Sequence, residues 1–325
     1  MNNFFKNKTI LITGGTGSLG KAILNFFLKN NVPIKKIIIF SRDELKQLEM
    51  QDVLNNNLLK KIRFFIGDIR DKDRLITAFN NVDYVIHAAA LKQVPTAEYN
   101  PFEFIKTNIV GSENVIQACL KNNVKRVILI STDKASSPIN LYGATKLCAD
   151  KLFISANNIK GSRDIRFSVV RYGNVMGSRG SVLNKFYEQS KNGIITLTHK
   201  DMTRFNISLD EAVRLVIQSL QNCLGGEIVI PKLSSFYLRD LAEVICPKGK
   251  IKIVGIRPGE KLHEEMISIF DAANTVEFKK HYEILPLELS KKYKNKKINF
   301  VHKNFSYRSD NNKFFLSKSD LKKII

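Results

Sequence analysis

An α/β fold is predicted for this 325-residue chain: a doubly wound parallel sheet followed by a smaller mixed α/β lobe. Three observations predict it. Short β-branched runs alternate with helix-length segments through the first half, which is how a parallel sheet with crossover helices reads. A glycine-rich turn lies between the first such run and the first helix. Beyond about residue 177 the alternation fades into shorter strands and helices.

The elements follow in order. Thr9-Ile10-Leu11-Ile12 opens the sheet as a buried strand, and Ile37-Ile38-Ile39-Phe40, Ile62-Arg63-Phe64-Phe65-Ile66, Tyr84-Val85-Ile86 and Arg126-Val127-Ile128-Leu129-Ile130 repeat the pattern. Residues 19–29 and 111–121 have helical length and spacing between them. Phe167-Ser168-Val169-Val170 is a further strand, while 226–230 and 238–245 read as a late strand and helix. Residues 1–176 are therefore expected to bind a dinucleotide, and 177–325 to form mainly a substrate-binding lobe with a basic C-terminal segment. Some of the later strands are free to return to the first domain. The two lobes should share one cleft.

Composition narrows the class. Hydrophobic residues make up 44% and charged residues 25%, the balance of a globular protein rather than a disordered one. No apolar run approaches the ~20 residues that span a bilayer. The first eight residues read as polar, lead straight into a strand and lack a signal peptide's apolar core, so a cytoplasmic protein without a membrane partner is expected. Cys119, Cys148, Cys223 and Cys246 are widely spaced, read as reduced thiols and suggest no metal site. The net charge of +22 is partly local: residues 279–325 hold 13 Lys/Arg against four Asp/Glu. The run Lys291-Lys292-Tyr293-Lys294-Asn295-Lys296-Lys297 reads as a solvated lysine-rich face, and with no nucleic-acid motif beside it, nucleic acid is not an expected partner.

The turn Thr13-Gly14-Gly15-Thr16-Gly17-Ser18-Leu19-Gly20 has glycines at 14, 17 and 20. Strand before and helix after make it a Rossmann-type phosphate turn, in which glycine lets the backbone approach a pyrophosphate at a helix N-terminus. About 20 residues on, where NAD-binding folds place a ribose-binding carboxylate, the chain has Phe40-Ser41-Arg42-Asp43-Glu44-Leu45-Lys46. Ser41, Arg42 and Lys46 suit a 2′-phosphate, so NADP is expected, while Asp43 keeps NAD open. Asp68 is placed to accept from an adenine amino group, and serves equally as a turn aspartate capping 69–74.

Tyr142 and Lys146 sit at i and i+4 of a helix and so share a face. A nearby ammonium would lower the phenol's pKa and make it a base near neutral pH. Ten residues upstream of Tyr142, Ser131-Thr132-Asp133-Lys134 ends the fifth strand with hydroxyls able to bond an oxygen undergoing oxidation.

With these motifs the chain resembles the extended short-chain dehydrogenase/reductases, and more narrowly the inverting UDP-N-acetylglucosamine 4,6-dehydratases of pseudaminic acid biosynthesis, a route to flagellin glycosylation. The likeness also rests on Ala88-Ala89-Ala90-Leu91-Lys92, Asn140-Leu141-Tyr142-Gly143-Ala144-Thr145-Lys146, Arg171-Tyr172-Gly173-Asn174-Val175, Met202-Thr203-Arg204-Phe205 and Arg257-Pro258-Gly259-Glu260-Lys261, and it spans nearly the whole chain.

The resemblance implies catalytic roles for Lys134, Asp133, Tyr142, Lys146 and Thr132. Tyr142 would take the 4-hydroxyl proton, a neutral Lys134 the C5 proton, and a protonated Asp133 would protonate the departing 6-hydroxyl. An ordinary Asp133–Lys134 ion pair is the plainer alternative. Relatives that retain C5 configuration have Asp-Glu there. The cofactor is expected along Gly14, Thr16, Gly17, Ser18, Leu19 and Gly20; along Ser41, Arg42, Asp43, Glu44, Leu45 and Lys46; and at Asp68, Ile69, Ala88, Ser131, Tyr142, Lys146 and Val175. UDP-N-acetylglucosamine is the implied substrate, with Lys92, Asn174, Ser178, Arg179, Gly180, Ser181, Val182, Arg204, Arg257 and Glu260 around it. Asn108 either supports Lys146 through water or packs its helix. A homo-oligomer is implied. A 4-epimerase or reductase on this scaffold is the rival enzyme, and an NADP-sensing or nucleic-acid-binding protein the rival from another class.

Overall fold

β-Branched and aromatic residues run together where a strand must be apolar on both faces, and the first six strands form at those places. The computed structural model describes residues 2–177, 180–294 and 298–325. Its first strands are β1 (Thr9–Thr13), β2 (Lys36–Ser41), β3 (Ile62–Ile66), β4 (Tyr84–His87), β5 (Arg126–Thr132) and β6 (Arg166–Tyr172). They pair in the order β3-β2-β1-β4-β5-β6, all parallel. The order reverses between β1 and β4, and at such a switch point a crevice opens outside the carboxyl ends of the strands.

The later strands are β7 (Asn174–Val175), β8 (Ile194–Leu197), β9 (Thr203–Ile207), β10 (Ile228–Pro231), β11 (Ser234–Tyr237), β12 (Lys250–Ile253), β13 (Glu265–Ile267), β14 (Thr275–Glu277), β15 (His281–Ile284) and β16 (Tyr307–Arg308). β10, β15 and β14 extend the first sheet beyond β6, giving nine strands in a row; β10 pairs parallel to β6, β15 antiparallel to β10, and β14 antiparallel to β15. The rest form small sheets, β11-β9-β7, β12-β8 and β13-β16.

One apolar core lines both faces of the large sheet. A second gathers Leu183, Phe186, Leu197, Met202, Phe236 and Leu241 with Leu321 from the terminal helix Lys318–Ile324. Two local readings change. The N-terminus is no polar arm: Phe5 is fully buried and Phe4 stacks on Tyr84 at 4.7 Å. The basic C-terminal segment is tied down through Tyr307, Ser309 and Leu321, all buried between its lysines. Among the described residues, no helix is long and apolar enough to cross a membrane.

Candidate active site

The glycine turn is shaped by close approaches. Gly14 has φ +66°, and a Cβ there would lie 2.9 Å from the Ala89 backbone. A Cβ on Gly20 would lie 2.3 Å from the Gly15 carbonyl oxygen. Helix Ser18–Lys29 starts at Gly17 with no side-chain cap and no acidic residue in its first turn, so its free N–H groups and positive dipole end suit a pyrophosphate. Thr13, His87 and Ser112 hold β1 to β4 behind the turn. The Ser112 hydroxyl donates to the Asn108 carbonyl at 2.6 Å, so His87 Nε2 donates to Ser112 Oγ at 3.2 Å, and Nδ1 accepts from Thr13 Oγ1 at 2.6 Å. Burial pushes the His87 pKa down to about 3, leaving the ring neutral.

At the end of β2, Asp43 caps helix Glu44–Asp52, accepting from the Lys46 backbone N–H at 3.0 Å while pairing with its ammonium. Lys46 is thus bound to Asp43, and Glu44 and Leu45 are exposed on the helix. Arg42 keeps half of its side chain exposed, 3.3 Å from Asp68 Oδ2. Ser41 is buried under Gln47, whose Nε2 donates to Ser41 Oγ at 3.3 Å. Asp68 acts in its turn, accepting from Arg70 N at 2.9 Å and Nη2 at 2.7 Å. Burial raises its pKa, but the Arg70 hydrogen bonds prevail and hold the carboxyl below its ordinary value. Ile69 is buried, and a Cβ on Gly111 would strike its side chain, so only its backbone could meet a cofactor.

Asn140 caps helix Leu141–Ser155 through Gly143 N at 2.8 Å, and Tyr142, Lys146 and Asp150 follow on one buried face. A Cβ on Gly143 would sit 2.3 Å from the Lys134 carbonyl oxygen, so the helix packs directly on the turn after β5. Lys146 Nζ donates to the Ile130 carbonyl at 2.8 Å. Burial lowers its pKa to about 8, against Asp150, which raises it. Burial pushes Tyr142 up to about 12; the charge of Lys134 and a hydrogen bond with Thr132 pull the other way. Burial thus holds the phenol above its ordinary value instead of near neutrality as expected, and Lys134 is a cation that pulls it back down. The Ser131 hydroxyl donates to Asp150 at 2.9 Å, and Arg171 joins the same oxygen at 3.0 Å. Asn108, in a turn of π-helix (Ile105–Val110), bonds both backbone groups of Leu91 at 2.9 Å and Thr145 Oγ1 at 3.0 Å. It clamps the loop holding Ala88 and Lys92 to helix Leu141–Ser155.

Asp133 is buried, and its Oδ1 accepts from Thr132 Oγ1 at 2.9 Å and Lys134 Nζ at 3.1 Å. Burial raises its pKa, Lys134 opposing, in the direction a proton donor needs. Lys134 departs from the expected neutral amine. It also touches Glu264 Oε1 at 3.1 Å, and although burial opposes it, the two carboxylates drive its pKa up and keep it an ammonium. Sequence reasoning missed Glu264; its only signal was the Glu264-Glu265 pair just past a motif already noted. Arg204 is buried too, donating to the carbonyls of Thr203 at 2.7 Å and Leu262 at 3.1 Å, with Nε 3.5 Å from Glu264 Oε1. Its guanidinium thus braces Glu264 instead of reaching freely for a phosphate.

Arg257 pairs with Glu260 at 3.0 Å in an exposed loop, which Asn140 Nδ2 ties to the start of helix Leu141–Ser155 through the Gly259 carbonyl at 2.8 Å. Lys92 and Asn174 are exposed, and Val175 packs on the core. Gly180 has φ +76°, while Ser181, its Oγ buried without a partner, precedes helix Val182–Ser190. Ser178 and Arg179 lie outside the described residues.

A profile of the family described as polysaccharide biosynthesis protein matches residues 10–286. A Campylobacter jejuni protein named UDP-N-acetylglucosamine 4,6-dehydratase (inverting) is 52% identical, over 99% of this chain and 98% of its own. A Rickettsia prowazekii protein named UDP-glucose 4-epimerase is 44% identical over 86% of this chain and 83% of its own. Among solved structures, Pen from Bacillus thuringiensis superposes with a TM-score of 0.91 at 40% identity, covering 99% of this chain and 98% of that one.

Proposed function

Because the chain belongs to the family of polysaccharide biosynthesis proteins, we propose that it is a UDP-N-acetylglucosamine 4,6-dehydratase that inverts C5. One observation carries the reading: a buried carboxyl with a raised pKa stands beside Lys134, Thr132 and Tyr142. An epimerase or reductase needs the phenol and Lys146 but has no work for that acid. The epimerase name of the Rickettsia relative is what favours the second reading, a nucleotide-sugar 4-epimerase.

Bound in the crevice, a nicotinamide dinucleotide would accept hydride from C4 and return it to C6, leaving net redox at zero. The chain does the proton work. Tyr142, its own proton first given up to solvent against the push of burial, takes the 4-hydroxyl proton as a phenolate, with Thr132 holding that oxygen. The resulting ketone acidifies C5–H, which Lys134 removes. Asp133 protonates the 6-hydroxyl and water leaves. A proton from solvent then reaches C5 from the opposite face, balancing the one Tyr142 gave up. Lys146 orients the nicotinamide ribose. Lys92, Asn174, Arg257, Glu260 and the loop at 180–182 surround the nucleotide, with Arg204 acting through Glu264.

NADP is supported by the half-exposed guanidinium of Arg42 and by Asp43, whose carboxylate is engaged in its own helix. A cytoplasmic homo-oligomer is the state we assign; the exposed Tyr99 and Phe102 support self-association. Pseudaminic acid synthesis is the destination we assign to the product. Given UDP-N-acetylglucosamine and no external reductant, the protein should release a 4-keto sugar lighter by one water. An epimer of unchanged mass would exclude dehydration.

A further inference from the structure

Lys134 Nζ lies 3.1 Å from Asp133 Oδ1 and 3.1 Å from Glu264 Oε1. Each carboxyl keeps its other oxygen, Asp133 Oδ2 and Glu264 Oε2, buried and without a partner. The two acids differ in company. Glu264 has Arg204 Nε at 3.5 Å and Lys261 nearby, while Asp133 has Lys134 in hydrogen-bond reach, Lys261 acting on it by charge alone, and feels the charge of Glu264. The acid richer in cations stays ionised and the other takes the proton.

An ammonium held by two carboxylates is no base. Resting on the dehydratase reading, we infer that Glu264 is the positioning residue that makes Lys134 one, by taking an ammonium proton from Nζ as Nζ takes the proton from C5. The C5–H bond breaks with its electron pair left on the sugar as the enolate of the 4-ketone. The C5 proton goes to Nζ, and one already on Nζ goes to Glu264 Oε1. Asp133 gives its own proton to the departing 6-hydroxyl, and water leaves. One proton passed from Glu264 through Lys134 to Asp133 restores all three groups, so the proton from C5 replaces the one lost with water.

Glu264 is fixed for this work. Its N–H donates to Ser309 Oγ at 2.9 Å, its carbonyl accepts from Ser309 N at 2.8 Å, and Ser309 Oγ meets Thr203 Oγ1 at 2.7 Å. Its neighbour Glu265 is engaged elsewhere, accepting from Ser137 Oγ at 2.6 Å. The charged and titratable groups around the triad are Tyr142 on the catalytic helix, Arg204 on β9, and Glu260, Lys261 and His263 on the loop before β13.

The test uses Glu264→Gln and Glu264→Asp in the full chain with its dinucleotide. Glu264→Gln should keep reduction of the nicotinamide by substrate within about 3-fold, yet slow C5 proton release and water loss ~100-fold or more. Glu264→Asp should recover part of that loss, and the pH profile of elimination should move while that of C4 oxidation stays. In substrate-free Glu264→Gln, the Lys134 ammonium, followed by nitrogen-15 NMR, should titrate at lower pH than in the native chain. Elimination within about 3-fold of native in Glu264→Gln would overturn the inference. So would parallel loss of both half-reactions in the two variants, which marks a structural role, or an unchanged Lys134 titration. Failure of the dehydratase reading looks different: the native chain itself then yields no 4-keto sugar, while the titration still decides the role of Glu264.

Discussion

Lys146 is buried and Lys134 half-buried, and their neighbours send them in opposite directions. Lys146 loses more to burial than Asp150 returns, and its pKa falls to about 8; Lys134, bridging two carboxylates, rises. A lysine whose pKa is depressed in the folded state binds protons better unfolded, so it weakens the fold below about pH 8. That penalty fades as pH climbs toward the unfolded value. Lys146→Met should therefore melt no lower than native at pH 7, with any gain shrinking by pH 10, while dehydration falls ~100-fold or more. Melting curves at the two pH values check it; a variant less stable by the same amount at both would refute the assignment. The spacing of Tyr142 and Lys146 and the Asp133-Lys134 pair were legible because each is local in sequence. Glu264 was not, since only the folding of a distant loop brings it to Lys134.

Elements were legible in proportion to their length. The six strands from β1 to β6 announced themselves as β-branched runs, and helix Leu238–Ile245 appeared where its periodicity put it. β7 and β16 have two residues each, and pairing that short is decided by partners elsewhere in the chain. The π-turn Ile105–Val110 likewise reads as ordinary helix, although it presents Asn108 to Leu91 and Thr145. The glycine turn lets sequence and geometry be compared directly. Alanine is the better helix former, yet a Cβ at Gly20 would meet backbone at 2.3 Å, whereas one at Gly17 would meet it at 3.1 Å. Gly20→Ala should cost about 1–3 kcal/mol of stability, as overpacking does, and weaken dinucleotide binding more than Gly17→Ala. Paired melts and dinucleotide titrations measure both; equal behaviour of the two variants would remove close packing as the reason for the motif.

On the scale of the whole molecule, the candidate active site is assembled from segments far apart in the chain. β5 supplies Thr132 and the turn with Asp133 and Lys134, the following helix supplies Tyr142 and Lys146, and the loop before β13 supplies Glu264. The C-terminal segment, which sequence reading left as a lysine-rich surface, closes the assembly through Ser309 on Glu264 and Leu321 in the second core. Charge content could not show this, because the buried residues of that segment are scattered singly among its lysines. The most direct test of the convergence is a proton NMR time course of UDP-N-acetylglucosamine turned over in D2O. One deuterium is expected at C5, with inverted configuration there, and a C6 methyl group carrying the protium that began at C4. A product that keeps its 6-hydroxyl, or retains the original C5 proton, would contradict this chemistry.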